Sequence, residues 1–411
     1  MLEGMFENDG ISPKHAKWDH AISRQKPLYS RKDDIRSDFS RDYNRILHCT
    51  AYRRLKHKTQ VFFATTNDHI CTRIEHVNHV TAISLTIAKY LGLNTELTSS
   101  IAIGHDLGHA PFGHEGEDTL KRIAEKELGQ TFWHEGNSLR FVDKLETLED
   151  PNRKEQNLNL TYAVRDGIVC HCGEVDENAI FPRQDFIDLN GIGKANEISP
   201  YTWEGCVVKI ADKIAYLGRD IEDARNLKIL TTPQWSALIR LIRSYRKSEK
   251  GKQINNTILI HDFIINICQY SSPDSGISIS PETLKFMQIL KEFNYKNIYN
   301  NPRLDNFKNY SALLIESIFS TLRMFYKGPD TIPELQRYTR ERIYPVLTQT
   351  FCEWLQKYCT NQNRRALNTK YENEMIYDIN EEKDYLQAVI DFISGMTDSF
   401  AIKVFNEITM F

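Results

Sequence analysis

The 411-residue sequence lacks the features that mark membrane, secreted or repetitive proteins. No apolar run approaches the roughly 18 residues that a membrane span requires. The opening MLEGMFENDG has no basic segment followed by an apolar one, so we expect no secretory signal and a cytoplasmic protein. There is no internal repeat and no low-complexity tract. A globular protein with an ordinary hydrophobic core is therefore expected.

The cysteine pattern argues against a structural zinc site, and the net charge argues against a global attraction to polyanions. The eight cysteines are scattered through a long chain with no secretory signal, so we expect reduced thiols, and no pair of CxxC motifs indicates structural zinc. The net charge of −3 gives no global attraction to nucleic acid or to an anionic membrane. Residues 53–58, reading RRLKHK, are a local exception. This basic segment can be interpreted as a solvated helix face or as a phosphate-binding patch, and both interpretations stay open.

Apolar spacing predicts an almost entirely helical protein. Between residues 73 and 90, apolar side chains recur every three or four positions, which is typical of an amphipathic helix. The same reasoning predicts helices over 97–107, 115–128, 137–145, 202–230, 234–247, 256–270, 281–294, 308–326, 333–358 and 382–407. Strand-like alternation is confined to 61–64 and 180–186. We expect an all-α fold with an extension over 1–28, a core over 29–230 and further C-terminal helices over 231–411 that pack on the core.

The segment HDLGHAPFGHEGE, residues 105–117, is the densest in chemistry. It begins with an adjacent His105–Asp106 pair, which can face one cation only where the backbone turns. Gly108, Pro111 and Gly113 supply such a turn, because glycine tolerates unusual backbone angles and proline interrupts a helix. The segment therefore predicts a metal and acid/base centre.

Two more ligands are predicted from other helices. His76 lies one helix earlier, so an antiparallel hairpin can bring it alongside the pair, although a lone histidine is more often an ordinary one. Asp212 interrupts an apolar segment, and a buried carboxylate is costly unless it is paired or binds a metal. By itself it could pair with Lys209 or Arg219. Two imidazoles and two carboxylates together predict a site for a divalent ion such as Mn, Mg, Fe, Co, Ni or Zn.

The sequence contains a combination of motifs that extends well beyond these four residues. They are FSRD at 39–42, YRRLK at 52–56, KTQVF at 58–62, TRIEH at 72–76, the segment 105–117, WHEGN at 133–137, the stretch 211–223 and DFISGMTD at 391–398. The combination resembles the HD-domain superfamily and, within it, the deoxynucleoside triphosphate triphosphohydrolases, or dGTPase-like enzymes. The resemblance spans residues 29–401 and implies an HD-type helical core over 29–230.

The resemblance implies hydrolysis of a dNTP, with dGTP the first guess, to a deoxynucleoside and inorganic triphosphate. By position, the resemblance implies that the metal ligands are His76, His105, Asp106 and Asp212. It implies that the active-site residues are His114, Glu117, His109 and His134. His114 and Glu117 are three residues apart, hence on one helix face, where the carboxylate can orient the imidazole for acid/base work. A partly exposed histidine before a helix remains the alternative for His134.

Substrate contacts are expected from the same elements. Asp212, Tyr216 and Asp220 lie at i, i+4 and i+8, on one face of a helix. The resemblance implies that Tyr216 packs on the sugar, where it leaves little room for a 2′-hydroxyl, and that Asp220 accepts the 3′-hydroxyl. Core packing is the alternative for Tyr216. The resemblance further implies that Arg73 and Lys213 contact phosphates, and that Gln60 lies near the sugar or base.

Partners and alternative functions follow from the same resemblance. It implies a homo-oligomer that acts on dNTPs away from membranes, and it makes a second, allosteric dNTP or single-stranded DNA a candidate partner. Two alternatives stay open, namely an HD-type phosphatase or phosphodiesterase for another nucleotide, and a regulator with an HD fold that binds nucleotide or single-stranded nucleic acid. His171, between Cys170 and Cys172, departs from the expected pattern and is interpreted as a structural residue or a support behind the ligands.

Overall fold

Seventeen α-helices make up most of the computed structural model, which describes residues 4–29, 33–62, 70–172, 178–246, 256–360 and 370–410. In these residues the prediction of an all-α fold is confirmed. The helices are α1 (Trp18–Ile22), α2 (Asp38–His48), α3 (Thr50–Arg54), α4 (Arg73–Leu91), α5 (Thr95–Gly104), α6 (Gly113–Leu128), α7 (His134–Arg140), α8 (Tyr162–Val169), α9 (Trp203–Asn226), α10 (Thr232–Arg246), α11 (Asn256–Tyr270), α12 (Pro281–Asn294), α13 (Asp305–Met324), α14 (Thr331–Arg340), α15 (Pro345–Tyr358), α16 (Glu382–Ser394) and α17 (Asp398–Thr409).

Six short strands form three two-stranded sheets within the described ranges. Strands β1 (Thr147–Glu149) and β2 (Glu155–Asn157) form an antiparallel hairpin with Thr147 opposite Asn157. Strand β3 (Ala179–Ile180) pairs antiparallel with β4 (Ile277–Ser278), and β5 (Cys359–Thr360) pairs parallel with β6 (Tyr377–Asp378). The last two sheets join segments that are distant in sequence.

Helices α4 and α5 form the hairpin on which the candidate site is built. A capping box between Thr72 and Glu75 begins α4, and Gly92 ends it with a φ of 83°. Asn94 then caps α5 by accepting hydrogen bonds from the next turn. Helix α4 also packs against α9, and α5 packs against α2, α8 and α9. The predicted hairpin is thus present, with α9 lying across it.

The turn between α5 and α6 packs backbone to backbone on α7. Gly108 donates its N–H to Ser138 Oγ at 2.9 Å, and its carbonyl accepts from Asn137 Nδ2 at 2.6 Å. The turn ends at Phe112 and Gly113, whose φ values are 66° and 63°. Two successive left-handed residues lie where α6 begins, which explains the glycine at position 113.

The C-terminal helices pack closely on the site-bearing part of the chain. Helix α6 packs against α13 and α16, and α9 packs against α11 and α12. The N-terminal segment is anchored as well, because Gly4 and Phe6 donate backbone hydrogen bonds to Tyr90 and Leu91. Helix α17 closes the arrangement against α13.

Several predicted boundaries are wrong for local reasons. The helix predicted over 333–358 is two helices, because Tyr344 has a φ of 50° and Pro345 starts a new helix. The helix predicted over 382–407 breaks after Ser394, and Thr397 caps its second half. Of the strand predicted over 180–186, only residue 180 is in a strand. Residues 61 and 62 form a bend, while 63 and 64 lie outside the described residues.

Two composition-based expectations can be compared with the fold. All eight cysteines are buried, and none of them forms a disulfide with another, in line with the expectation of reduced thiols. Among the described residues, no helix combines the length and the apolar character of a membrane span.

The close approach at Gly108 generates a prediction. A Cβ at this position would lie 2.1 Å from Ser138 N and 2.4 Å from Asn137 C, so Gly108→Ala must displace α7. We expect the free energy of unfolding, measured by urea denaturation, to fall by about 1–3 kcal/mol or more. Gly191→Ala is the control, because a methyl group at that position would have no neighbour within 4 Å. Equal stability of the two variants would contradict the packing described.

Candidate active site

The four predicted metal ligands lie together where α4, the α5–α6 turn and α9 meet. His76 Nε2 is 2.9 Å from Asp212 Oδ1 and 3.9 Å from Asp106 Oδ2. His105 Nε2 is 3.7 Å from Asp106 Oδ1 and 3.9 Å from Asp212 Oδ1. Ligand atoms of His76, His105 and Asp212 all lie within 4.8 Å of one another. Residues that are far apart in sequence thus form one cluster.

The donor atoms of this cluster fit a divalent cation. His105 Nδ1 donates to the carbonyl of Ala102 at 2.7 Å, which leaves the Nε2 lone pair facing the cluster. That buried Nε2 has no hydrogen-bond partner among the described residues. Burial lowers the pKa of His105 to about 4, so the imidazole is neutral and able to bind a metal. An unpartnered imidazole nitrogen beside two carboxylates is the donor set that such an ion prefers.

Asp106 carries its negative charge inside the protein. Burial opposes ionisation, but Arg73 and the neighbouring imidazoles hold the pKa of this carboxyl well below its usual range. Arg73 Nη1 donates to Asp106 Oδ2 at 2.8 Å, and both side chains are at most 3% exposed. Arg73 also donates to the carbonyls of Thr59 and Gln60, at 3.2 and 3.3 Å. Arg73 therefore reaches the ligand cluster itself.

Among the described residues, Asp212 pairs with His76 rather than with a lysine or arginine. Burial lowers the pKa of His76, but the hydrogen bond to Asp212 reverses this effect and leaves it raised. Lys209 donates to Asn196 instead, and Arg219 lies near Glu222 and Asp223. The alternative in which Asp212 forms a structural salt bridge with Lys209 or Arg219 is therefore wrong.

A second cluster joins three of the predicted catalytic residues around the Glu117 carboxylate. His134 approaches Glu117 Oε1 through its backbone N–H at 2.8 Å and through Nδ1 at 3.0 Å. His114 Nδ1 is 3.5 Å from Glu117 Oε2. Burial opposes the charge on Glu117, yet the two histidines hold its pKa well below the usual range. The two carboxylate oxygens are thus shared between two imidazoles.

His114 and His134 both favour the protonated form. Burial lowers the pKa of His134, but the charges of Glu117 and Glu135 outweigh it and raise the pKa to about 10. For His114, desolvation also lowers the pKa, and Glu117 raises it above the ordinary value. The His114 side chain is 57% exposed, so its ring remains open to a ligand. Two imidazoles that favour the charged form therefore lie beside Glu117, and that of His114 is accessible to a ligand.

His109 connects the two clusters. Its ring stacks on His134 with centroids 4.0 Å apart, and its Nε2 is 3.4 Å from Asp106 Oδ1. Burial holds the pKa of His109 well below its ordinary value, so this imidazole is neutral. Its buried Nδ1 has no hydrogen-bond partner in the described part of the chain. The metal ligands and the acid/base group therefore form one continuous site.

A third group lies farther along α9, on the face predicted for substrate contacts. Asp220 accepts a hydrogen bond from the Tyr299 hydroxyl, and burial raises the pKa of this carboxyl to about 6. Tyr216 is half-buried and packs against the core, while Lys213 is buried. Tyr299 belongs to the π-helical turn Tyr295–Tyr299 after α12. Nothing in the sequence pattern marks it, because its partner is 79 residues away.

Gln60 is brought to the start of α6. A Cβ on Gly113 would lie 2.9 Å from the Gln60 carbonyl, so the two backbones are in contact. The Gln60 side chain is buried, and its Oε1 has no hydrogen-bond partner among the described residues. An unsatisfied buried amide oxygen costs free energy unless a ligand completes it. This placement is compatible with the predicted contact near the sugar or base.

His171 lies closer to the centre than the sequence interpretation required. Its ring is 4.9 Å from that of His105 and 5.6 Å from that of His134. Nδ1 hydrogen-bonds the carbonyl of Ile168 at 2.6 Å, so Nε2 is available on the side of the cluster. Ligand atoms of His105, Asp106 and His171 lie within 4.8 Å of one another. His171 thus contacts the site directly. Its sequence position between Cys170 and Cys172 does not indicate this placement.

The basic segment 53–58 divides between surface and interior. Arg53, Lys56 and His57 are exposed, whereas Lys58 is buried. Arg54 Nη1 donates to the carbonyl of Gly395 at 3.1 Å. The interpretation as a solvated face therefore applies to Arg53, Lys56 and His57, whereas Arg54 and Lys58 donate to backbone carbonyls elsewhere in the chain.

Comparison with known proteins agrees with this arrangement. The HD domain family matches residues 73–217, which contain all four predicted ligands, and the phosphohydrolase-associated domain family matches 348–407. A deoxyguanosinetriphosphate triphosphohydrolase-like protein of Caldanaerobacter subterraneus subsp. tengcongensis is 32% identical over 403 residues, which cover 97% of this chain and 92% of that protein.

Two further relatives carry the same description. The protein of Clostridium tetani is 32% identical over 408 residues, covering 98% of this chain and 94% of its own length. That of Desulfatibacillum aliphaticivorans is 36% identical over 303 residues, covering 73% and 77%. The chain belongs to the deoxyguanosinetriphosphate triphosphohydrolase-like family. Membership in this family of HD-domain hydrolases, together with the His/Asp cluster, supports a metal-dependent phosphohydrolase that acts on a nucleotide.

The cluster predicts that metal binding depends on Asp212. Its side chain is 16% exposed, so Asp212→Ala creates no deep cavity but removes one oxygen ligand and the partner of His76. We expect the affinity for Mn²⁺ to fall by at least about tenfold, measured as bound metal after equilibrium dialysis. Glu222→Ala, on the same helix and paired with Arg219 at the surface, should bind Mn²⁺ like the wild type. Unchanged binding by Asp212→Ala would remove Asp212 from the ligand set.

Proposed function

We propose that the protein hydrolyses dNTPs, with dGTP as the first candidate, to the deoxynucleoside and inorganic triphosphate. The observation that carries the proposal is the continuity of the site. A cluster suited to a cation adjoins neutral His109, and His109 in turn adjoins the His114–Glu117–His134 group. Asp220 lies farther along α9 and accepts a hydrogen bond from Tyr299, which belongs to the turn after α12. The names of the relatives point to the same reaction.

Binding of the cation and of the phosphates falls to the buried charged residues. His76, His105, Asp106 and Asp212 would hold a divalent cation, with His171 within reach of the same cluster. Such a cation, when bound, neutralises phosphate charge and polarises phosphorus–oxygen bonds. Arg73 already contacts Asp106, and its remaining N–H groups, together with buried Lys213, would contact the triphosphate. We assign these two residues to phosphate binding.

Proton transfer falls to the histidines. A water oxygen bonds to the α-phosphorus, the bond from phosphorus to the 5′-oxygen breaks, and the triphosphate leaves the nucleoside. Neutral His109 is suited to accept the proton of the water, since its Nδ1 is unpartnered among the described residues. His114, kept protonated by Glu117 and open to the cleft, is suited to donate a proton to the leaving 5′-oxygen. Charged His134 would stabilise the negative charge that develops.

Selection for deoxyribose falls to the tyrosines. Asp220 would accept the 3′-hydroxyl. Gln60 Oε1, which has no hydrogen-bond partner in the described part of the chain, would accept a hydrogen bond from the sugar or base. Tyr216 and Tyr299 both lie near this carboxylate, and their rings would crowd a 2′-hydroxyl. Tyr299 is added to the predicted contacts because its hydroxyl donates directly to Asp220.

The remaining expectations stay predictions. They concern the division of the chain at residues 28 and 230, a cytoplasmic homo-oligomer, and a second dNTP or single-stranded DNA as a partner. Their basis is the sequence, and each is separate from the chemistry of the site.

Product identity tests the proposed reaction. We expect the protein with Mn²⁺ to convert at least one of the four dNTPs to deoxynucleoside and intact triphosphate, separated by ion-exchange chromatography. His114→Ala should lower kcat by about 10²–10⁴-fold, because the proton donor is lost, while it binds Mn²⁺ normally. His48→Ala, an exposed histidine on α2, is the control. Release of monophosphate, diphosphate or orthophosphate would indicate a different HD-type hydrolase. Binding without turnover would indicate a regulator.

The Tyr299–Asp220 contact predicts a pH effect. Burial raises the pKa of Asp220 to about 6, and the Tyr299 hydroxyl lowers it by stabilising the ionised form. Ionised Asp220 is the stronger acceptor for the 3′-hydroxyl, so kcat/KM should fall as the pH drops through this pKa. Tyr299→Phe removes the donor, raises the pKa of Asp220 further and should move the acid limb upward by about one pH unit. Tyr295→Phe is the control on the same turn, and an unmoved limb in Tyr299→Phe would contradict this role.

A further inference from the structure

The carboxylate of Asp398 joins two segments of the candidate active site. Its Oδ1 accepts the backbone N–H of Phe112 at 2.9 Å, in the turn that begins α6. Its Oδ2 accepts the backbone N–H of Thr59 at 2.9 Å and also the Thr59 hydroxyl. Asp398 is 2% exposed and lies more than 280 residues from either partner. The side chain of Asp398 thus connects the start of α17 to both segments.

A buried lysine makes the complementary connection. Lys58 Nζ donates to the carbonyl of His109 and to the carbonyl of Ser394, the latter at 2.9 Å. Lys58 and Asp398 therefore tie together the same three segments, which are 58–60, 109–113 and 394–398. Each of the first two segments carries residues of the site, whereas the third carries none.

Both tethered segments hold catalytic groups in place. Phe112 has a φ of 66°, which is unfavourable for a bulky residue and persists only where its surroundings fix it. It immediately precedes α6, which carries His114 and Glu117. On the other side, the carbonyls of Thr59 and Gln60 hold the Arg73 guanidinium.

The carboxylate does not serve its own helix. Thr397 caps α17, with its hydroxyl accepting the N–H of Phe400 at 3.2 Å. Both oxygens of Asp398 are instead used by donors on other segments. An aspartate in the first turn would ordinarily be explained by helix capping or the helix dipole, and here the cap is already provided by its neighbour.

We propose that Asp398 is a positioning residue that holds the Phe112–Gly113 turn, and hence His114 and Glu117, in the geometry needed for proton transfer. The inference rests on the proposed function, because it assumes that His114 and Glu117 act on the substrate. It gives the phosphohydrolase-associated region a part in catalysis without any contact with the substrate.

Asp398→Asn is the informative substitution. An amide keeps the size of the side chain but has one acceptor oxygen, so its NH₂ group must face the N–H of either Phe112 or Thr59. Thr397→Ala is the matched control. It removes the cap of the same helix and leaves the carboxylate contacts intact. If Asp398→Asn does not fold, Thr59→Val, which removes only one donor to the carboxylate, takes its place.

The first readout needs no turnover. In hydrogen–deuterium exchange, Asp398→Asn should raise the exchange rate of peptides covering 106–117 by about tenfold or more. Thr397→Ala should affect only peptides of α17. Faster exchange confined to α17 in both variants would overturn the inference, because Asp398 would then be an ordinary helix residue.

The second readout is a double-mutant cycle with His114→Ala. We expect Asp398→Asn to lower kcat by about tenfold or more in the wild type, since small misplacements of catalytic groups are costly. In the His114→Ala background it should lower kcat less than about twofold, while Thr397→Ala leaves kcat unchanged in both. Equal losses in the two backgrounds would overturn the inference. Full activity of His114→Ala would overturn the proposed role of His114 itself, and the exchange experiment would still decide whether Asp398 holds the turn.

Discussion

The negative charge of Asp106 in the interior is the constraint on which the arrangement of the site depends. A buried carboxylate is tolerated only with compensating charge and hydrogen bonds. Arg73 supplies part of that compensation at 2.8 Å, and three imidazoles lie within 4 Å. With Asp212 added, the cluster still contains an imidazole nitrogen that has no partner among the described residues, and it is suited to a further positive charge. The hairpin of α4 and α5, crossed by α9, is the framework that brings these groups together.

In the neighbouring acid/base group, the carboxylate keeps its imidazoles protonated. One carboxylate, Glu117, is shared by His114 and His134, so both imidazoles favour the protonated form. His109 stands between the two clusters and is kept neutral by burial. Three histidines of one site therefore differ in protonation because their surroundings differ, which is the condition for separate proton donors and acceptors.

How much of this was predictable depends on the range of the contacts. The ligand positions could be inferred because a carboxylate within an apolar helix and an adjacent His–Asp pair are local signals. The break before Pro345 also has a local signal, because proline interrupts a helix, whereas the left-handed conformation of Tyr344 is not visible in an apolar periodicity. Tyr299 and Asp398 were missed for a different reason. Each acts through a single side chain on a residue at least 79 positions away, and only the tertiary fold creates these contacts.

The central claim is that His76, His105, Asp106 and Asp212 bind one divalent cation beside the histidine group. Anomalous diffraction from crystals grown with Mn²⁺, collected at the manganese edge, tests it most directly. The account predicts a peak in contact with all four side chains and within reach of His171. A peak bound only by His134, Glu135 and His171, or no peak at saturating Mn²⁺, would contradict it.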